Sequence, residues 1–485
     1  MARLLSVFCA VIISLGVFCS CGNNKDDSTR VGAKADAYVD ESNTLRLCIY
    51  NTDTLNPLKT KHKHNAFVLS LFYDSLFSVS ADFSPVLNLA DDFSVSKSGL
   101  TYKIKIRDGI RFHNGSSLTA RDVCASINTI LSSDGYYKSR LYMIKGAMQK
   151  GEYVEIYLNE PTFNFPVLLD FPILPEESVN LSEDILDTII SGSGIYKVKE
   201  YIINKEIHLE PNEKHHSGKI VNNKDVVIFM AKDYETATEM LQNGIIDALE
   251  KEDSAVGVES ENAVCFPTCR FVFMGMNTNK NTPQIRRFIS DSINRGELVS
   301  NGGYSPCYFP VHPLSFYSQG LVPDNLENGF SEKISSSFEL LVNQESSQKR
   351  IIAERIKENL SEAEIEIKVV SLPYKDYKKR IDLGKYDFFI GEAELLPNFD
   401  FGEIAGLLRC DFKNFEEDIN RLKLESNMQV QKSIYSDIYR TLQEEASATP
   451  LFFRDGIIVF SKRLKVDNIS TLNPYQSINL WKVLN

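Results

Sequence analysis

Carboxylates in pairs are the first chemistry this sequence offers. Glu392 and Glu394 stand two apart, and Glu176 and Glu177 are adjacent, so either pair has the residue types of a glycosidase acid and base. Histidine comes next. His62-Lys63-His64 and His215-His216 are the two clusters among seven histidines. The first falls in a Lys-rich turn and reads as an exposed loop; the second reads as structural. His312, beside Pro310 and Pro313, reads as a loop residue. Gly192-Ser193-Gly194 sets a serine between glycines but lacks the flanking pattern of a nucleophile elbow. There is no GxSxG, HExxH or P-loop, and no GxGxxG in a strand-to-helix context. These residues assign no catalytic group, no metal ligand and no cofactor.

Cysteine points to the compartment. Arg3 precedes an uncharged run, Leu4 to Phe18, broken only by Ser6, Ser14 and Gly16. That is too short to span a bilayer comfortably and fits the apolar core of a secretory signal. It ends at Phe18-Cys19-Ser20-Cys21-Gly22, which resembles the lipobox of bacterial lipoproteins, with Phe18 in place of the usual Leu. Residues 1–20 are then the signal, and Cys21 carries the lipid. The segment 21–43 is rich in Asn, Asp, Ser, Ala and Lys and reads as a flexible tether without an element. Of nine cysteines, Cys48, Cys124, Cys265, Cys269, Cys307 and Cys410 remain in the exported part. Cys265 and Cys269 form a CxxxC that could close as a disulfide, but dispersed thiols are the expectation. Lys and Arg number 53 against 65 Asp and Glu, a net charge of −12. A nucleic-acid binder needs the opposite balance. Hydrophobic residues at 43% exclude wholesale disorder, and 485 residues exceed one compact core.

The elements that must position these residues read as α/β. Thr44 to Tyr50 predicts a strand, as do Tyr102 to Ile106 and Val154 to Leu158, by alternation. Asp108-Gly109 and Asn114-Gly115 are turns. Thr119 with Asp122 is a capping box opening a helix that carries Val123, Ile127 and Ile130. Pro161 to Pro175, dense in Pro and Phe, predicts an irregular segment. Ile195 to Tyr201, Ile207 to Glu210 and Val226 to Met230 predict strands; Asp233 caps a helix that Gly244 stops. Arg270 to Met276 predicts a strand, and Thr282-Pro283 a helix start. From Phe338 to Ile390 strand and helix alternate β-α-β-α-β, the pattern of an open sheet.

Short motifs in this order resemble one family. Thr54-Leu55-Asn56-Pro57-Leu58 looks like an opening loop. Leu71 to Phe77 is similar to an "LxYDSLF" helix, and Ile106 to Gly115 to "LRDGVKFHDG". Leu118 to Val123 looks like "LTAEDV", Gly192 to Tyr196 like "GTGPY", Gly244 to Ala248 like "GEIDA", and Gly384 to Asp387 like "GxYD". The set resembles the family 5 extracellular solute-binding proteins, the dipeptide, oligopeptide and nickel receptors of ABC importers.

That resemblance implies an α/β, two-lobed fold of the type II periplasmic-binding-protein kind, with a small inserted domain. Lobe 1 would be discontinuous, from 44–65, 185–268 and 450–485. The inserted domain would be 66–184 and lobe 2 would be 269–449. Ligand would be buried as the lobes close. The protein would capture short peptides as a monomer, without chemistry of its own, and deliver them to permease and ATPase subunits. It would sit outside the cytoplasm on a lipid anchor, at the cell surface or in the periplasm, with no nucleic acid. A nickel or other metal chelate, another non-peptide solute, or a peptide signal read by a different partner are the alternatives. In peptide-binding members the strand after "GxYD" runs through glycine and tryptophan to an aspartate that meets the ligand's ammonium group. Here Gly391, Glu392, Ala393 and Glu394 occupy that stretch. Glu394 is the expected ammonium partner and Glu392 the second choice. Arg380 is the expected carboxylate partner, and Thr54, Leu55 and Asn56 complete the site. The single tryptophan, Trp481, is far from the cleft position.

Overall fold

In the computed structural model, residues 30–31, 43–179, 191–251, 262–299, 303–321, 337–467 and 469–484 are described. The signal segment and Cys21 lie outside them, as does the expected boundary at 184/185. Within the tether, Arg30–Val31 forms a two-residue strand, which corrects the reading of 21–43 as free of elements. It pairs with Tyr201 and Ile202 at a sheet edge, where any backbone supplies the same N–H and C=O groups whatever its side chains.

Among the described residues three sheets carry the fold, beside two two-stranded ribbons. The first runs Arg30–Val31, Tyr196–Ile202, Glu206–Pro211, Val226–Ala231, Leu45–Tyr50, antiparallel except for its last, parallel pair. A second is a four-stranded antiparallel sheet in the order Ala90–Val95, Thr101–Ile106, Tyr153–Leu158, Ile144–Lys150. The helix Ala120–Ser132 covers it, and the Thr119/Asp122 capping box forms as the sequence predicts. One continuous apolar core joins these two sheets.

The third sheet takes the order Ala248–Glu250, Ala448–Phe460, Ala263–Met276, Phe388–Glu394, Ser337–Asn343, Glu366–Leu372, with Tyr304–Pro306 also on Ala448–Phe460. Its last three strands are parallel and linked by the helices Ser347–Glu362 and Tyr374–Asp382, the alternation read from sequence. Both faces are covered. Phe271 and Phe273 enter one core, while Val272, Met274 and Met276 enter the other, as a period of two requires.

Two strands are longer than their sequence suggests. Ala263–Met276 begins seven residues before Arg270, because Pro267 sits in a bulge between Phe266 and Arg270 and does not end the strand. Its start, with Phe266, packs into the first core, and its end into the other two. Ala448–Phe460 runs beside it in the same way. These two strands therefore tie the first sheet's core to the third sheet.

Leu71 to Phe77 corrects another expectation. The helix Lys63–Leu69 passes into a single 3-10 turn at Ser70–Phe72, Tyr73 is extended, and Phe77 starts the strand Phe77–Val79. The cause lies in a distant segment. The amide of Gly194 bonds to the Phe72 carbonyl, and a Cβ on Gly192 would fall on the Phe72 carbonyl oxygen, so the glycine loop presses the chain open there. Pro161 to Pro175 is irregular as expected, with one 3-10 turn at Phe165–Leu168. Its Phe163 ring leaves the second sheet and inserts against Tyr317 and Tyr435, in the core on one face of the third sheet.

Candidate functional site

A cavity of about 310 Å³ lies where these parts meet. Lys63 and Phe67 reach it from the helix Lys63–Leu69, and Tyr136, Arg140 and Tyr142 from the loop after Ala120–Ser132. Cys269 comes from the bulge, and Glu394 to Pro397 from the end of Phe388–Glu394. No histidine lines it. The volume is at the small end of ligand clefts, which span roughly 300–1,000 Å³.

Charge in this cavity is already paired. Arg140 Nη2 meets Asp170 Oδ1 at 2.7 Å, both side chains nearly buried, and the guanidinium stacks over the Tyr136 and Tyr137 rings. Glu394, 49% exposed, lies 3.4 Å from Lys63 Nζ and 3.6 Å from Arg270 Nε. Tyr142 donates to Glu403 across the cavity mouth. Burial pushes the Glu403 carboxyl up despite that bond. Burial likewise raises the Cys269 thiol, so this cysteine is an apolar wall and not a nucleophile. All six described cysteines are free thiols.

The strand carrying Glu394 has an unusual second edge. Its first edge is fully paired: Phe273 faces Gly391, Val272 faces Glu392, Phe271 faces Ala393 and Arg270 faces Glu394. On the other side, Ser337–Asn343 pairs only with Phe388 and Phe389. The Ile390 carbonyl accepts from the Tyr377 hydroxyl at 2.6 Å. Among the described strands, none pairs with the second edge of Gly391 to Glu394.

The other expected site residues are placed apart from the cavity. Glu392 accepts from Arg454 Nη1 at 2.8 Å and lies 3.0 Å from Lys349 Nζ. Burial opposes its ionisation, yet these two cations outweigh burial and hold its carboxyl below the usual range. Gly391 is required by packing, since a Cβ would enter the Phe273 ring. Ala393 packs against the core that contains Phe271. Arg380 Nη2 donates to Glu339 at 2.7 Å and its Nε to the Lys385 carbonyl. Thr54 and Asn56 build their own turn: the Thr54 hydroxyl accepts from the Asn56 amide, and Asn56 Oδ1 from the Leu58 amide. Leu55 is buried in the first core. That loop acts indirectly, for the Thr60 carbonyl accepts from the Tyr136 amide.

Histidines are the largest departure from the sequence reading. His62 starts the helix at 63–69, but His64 is buried, stacks on Tyr50, and lies 3.7 Å from Glu250. The Lys-rich neighbourhood suggested exposure, whereas the helix turns only its lysine outward. His312 is fully buried between Phe83 and Phe453. Arg140, Asp170 and Tyr142 carried no sequence signal, since nothing near them in the chain announces a cleft. Trp481 packs on Tyr475 within the first core, so the cleft does lack a tryptophan.

Comparison with known proteins agrees with this architecture. The oligopeptide-binding protein AppA of Bacillus subtilis is 23% identical, with 97% of each chain covered. Among solved structures, an unliganded open form of the periplasmic murein tripeptide binding protein MppA superposes with a TM-score of 0.74 at 16% identity, covering 94% of this chain and 99% of that one. The nickel ABC transporter structure from Bacillus halodurans superposes at 0.71 and 15% identity, covering 91% of this chain and 100% of that one. Residues 84–394 match the model of the bacterial extracellular solute-binding proteins, family 5. With most of its length matched in this way, the chain belongs to the family 5 bacterial extracellular solute-binding proteins.

Proposed function

We propose that this chain is a lipid-anchored receptor that captures short peptides and passes them to the permease and ATPase of an ABC importer. The observation that carries the peptide reading is the second edge of Gly391 to Glu394, which reaches the cavity at Glu394 and is paired by no described strand. An extended peptide adds to such an edge through its own backbone, which gives affinity without regard to side chains. Glu394 at the end of that edge takes the peptide ammonium, exchanging it for Lys63 or Arg270. The likeness to an oligopeptide-binding protein over nearly the whole chain supports the same solute class. A wall without histidine favours a peptide over a bare metal ion.

The lobes assigned from sequence close about the bulged pair of long strands at Phe266–Arg270 and Arg454–Gly456, the bridge between the cores. Cys21 holds the protein at the membrane by its lipid. Among the described residues no helix is long and apolar enough to cross a membrane. The protein turns nothing over.

Calorimetry with di- and tripeptides, each free and N-acetylated, tests this reading. Free peptides are expected to bind one per chain and to be recovered intact, and Glu394→Ala is expected to erase their advantage over acetylated ones. An unchanged preference removes Glu394 from the ammonium role. If no peptide and no nickel chelate raises the melting temperature, the receptor reading fails for both solute classes.

A further inference from the structure

A second cluster lies away from the peptide cavity, at the seam between the chain just after Phe72 and the turn that follows Glu206–Pro211. Asp74 leaves the first segment, while His215 and His216 sit on the second. His215 Nε2 is 3.2 Å from Asp74 Oδ2, and His216 Nε2 is 3.3 Å from the same oxygen. All three side chains are mostly buried, at 7%, 14% and 11% exposure. His216 Nε2 is buried, and its one described contact is with Asp74. The two rings lie 4.5 Å apart, tilted by 40°, and both Nε2 atoms face Asp74 Oδ2.

We propose that Asp74, His215 and His216 form a binding site for a divalent transition metal of the zinc type. The three ligand atoms lie within 4.8 Å of one another. Ligands held about 2.0–2.1 Å from a tetrahedral ion sit roughly 3.3–3.4 Å apart, which is the spacing of both nitrogens from the carboxylate oxygen. Two imidazoles and one carboxylate suit zinc, and imidazole disfavours magnesium or calcium. Ser217 holds the His215 ring from behind: its Oγ lies 2.7 Å from Nδ1 and its amide donates to the same nitrogen at 3.3 Å, so Nε2 faces Asp74 and gives up its proton as a metal binds. Both histidines line a cavity of about 680 Å³ together with Arg111, His113 and Lys214, from which water or an exchangeable anion completes the sphere. His113 lies outside the cluster of three, and its Nε2 is engaged with the Gly194 carbonyl at 3.0 Å. A bound ion would pin the expected inserted domain to the first sheet, and would do so whatever solute the other cavity takes.

The test is calorimetric titration of the chelator-treated protein with zinc chloride, repeated with cobalt(II) and read by absorption. One saturable equivalent is expected, with cobalt bands of a four-coordinate site. His216→Gln and His215→Gln should each weaken zinc by roughly tenfold or more. Glu394→Gln should take up zinc as the unaltered protein does. Absence of a saturable equivalent overturns the site. So does unchanged affinity in His216→Gln, or loss in Glu394→Gln, which would place the ion in the peptide cavity. If His216→Gln fails to fold, His215→Gln decides: unchanged affinity there overturns the site.

Discussion

Glu392 and Glu394 are two residues apart, yet the structure gives them opposite work, and Glu392→Gln separates the two. Glu392 holds Arg454 at 2.8 Å and Lys349 at 3.0 Å, with the three side chains between 12% and 21% exposed. Removing one member of a fully buried ion pair costs about 3–5 kcal/mol, because the partner stays buried and uncompensated. Partial exposure lets water reach both cations, which discounts the cost to about 2–3 kcal/mol. Gln keeps the volume and one acceptor, so packing adds little. The change should appear as a lowered urea midpoint at pH 7 with unaltered peptide affinity. The pH dependence adds a second constraint. The folded carboxyl titrates below its ordinary value of 4.5, so the unfolded state binds protons first as pH falls. Its contribution is complete above about pH 4.5 and disappears as pH drops through the lower folded value. The gap between the unaltered protein and Glu392→Gln should therefore shrink below pH 4.5. An unchanged midpoint combined with lost peptide binding would refute the reasoning and make Glu392 the ammonium group.

Two further outcomes follow from single residues. Burial pulls the His312 imidazole down from 6.5 to about 3, so it is neutral in the fold and takes up a proton on unfolding. Stability should fall progressively as pH drops from about 6.5 toward 3, and His312→Phe should flatten that acid limb in urea titrations; an unaltered slope would contradict it. Gly192→Ala should destabilise by more than about 3 kcal/mol, read by circular dichroism melting, because the new Cβ strikes the backbone carbonyl of Phe72 and no side chain can yield. A melt like that of the unaltered protein would show that the glycine loop does not press on Phe72.

Local chemistry was legible without the fold. The Thr119/Asp122 box, Asp233 as a cap, Pro283 opening its helix and Gly244 closing another all form where the residues place them. So do the alternating strands and the β-α-β-α-β run, because caps, turns and periodicity act over a few residues. Errors arose where a distant segment intervened. Gly192 and Gly194 hold the chain open after Phe72, which ends the helix its motif suggested. The strand Ala263–Met276 continues through Pro267 because Ala448–Phe460 supplies a partner on both sides of the bulge.

The sequence by itself determined the order of elements, the family motifs and the absence of a cleft tryptophan. Tertiary structure alone decided which charges meet. Glu394 finds Lys63 across 331 residues and Arg140 finds Asp170 across 30, and neither spacing is a motif. Lys63, Arg140 and Glu394 share a cavity only because the long strands bring three sheets together. Coulomb and hydrogen-bond energies depend on separations of a few ångströms, and those separations are set by packing rather than by position along the chain.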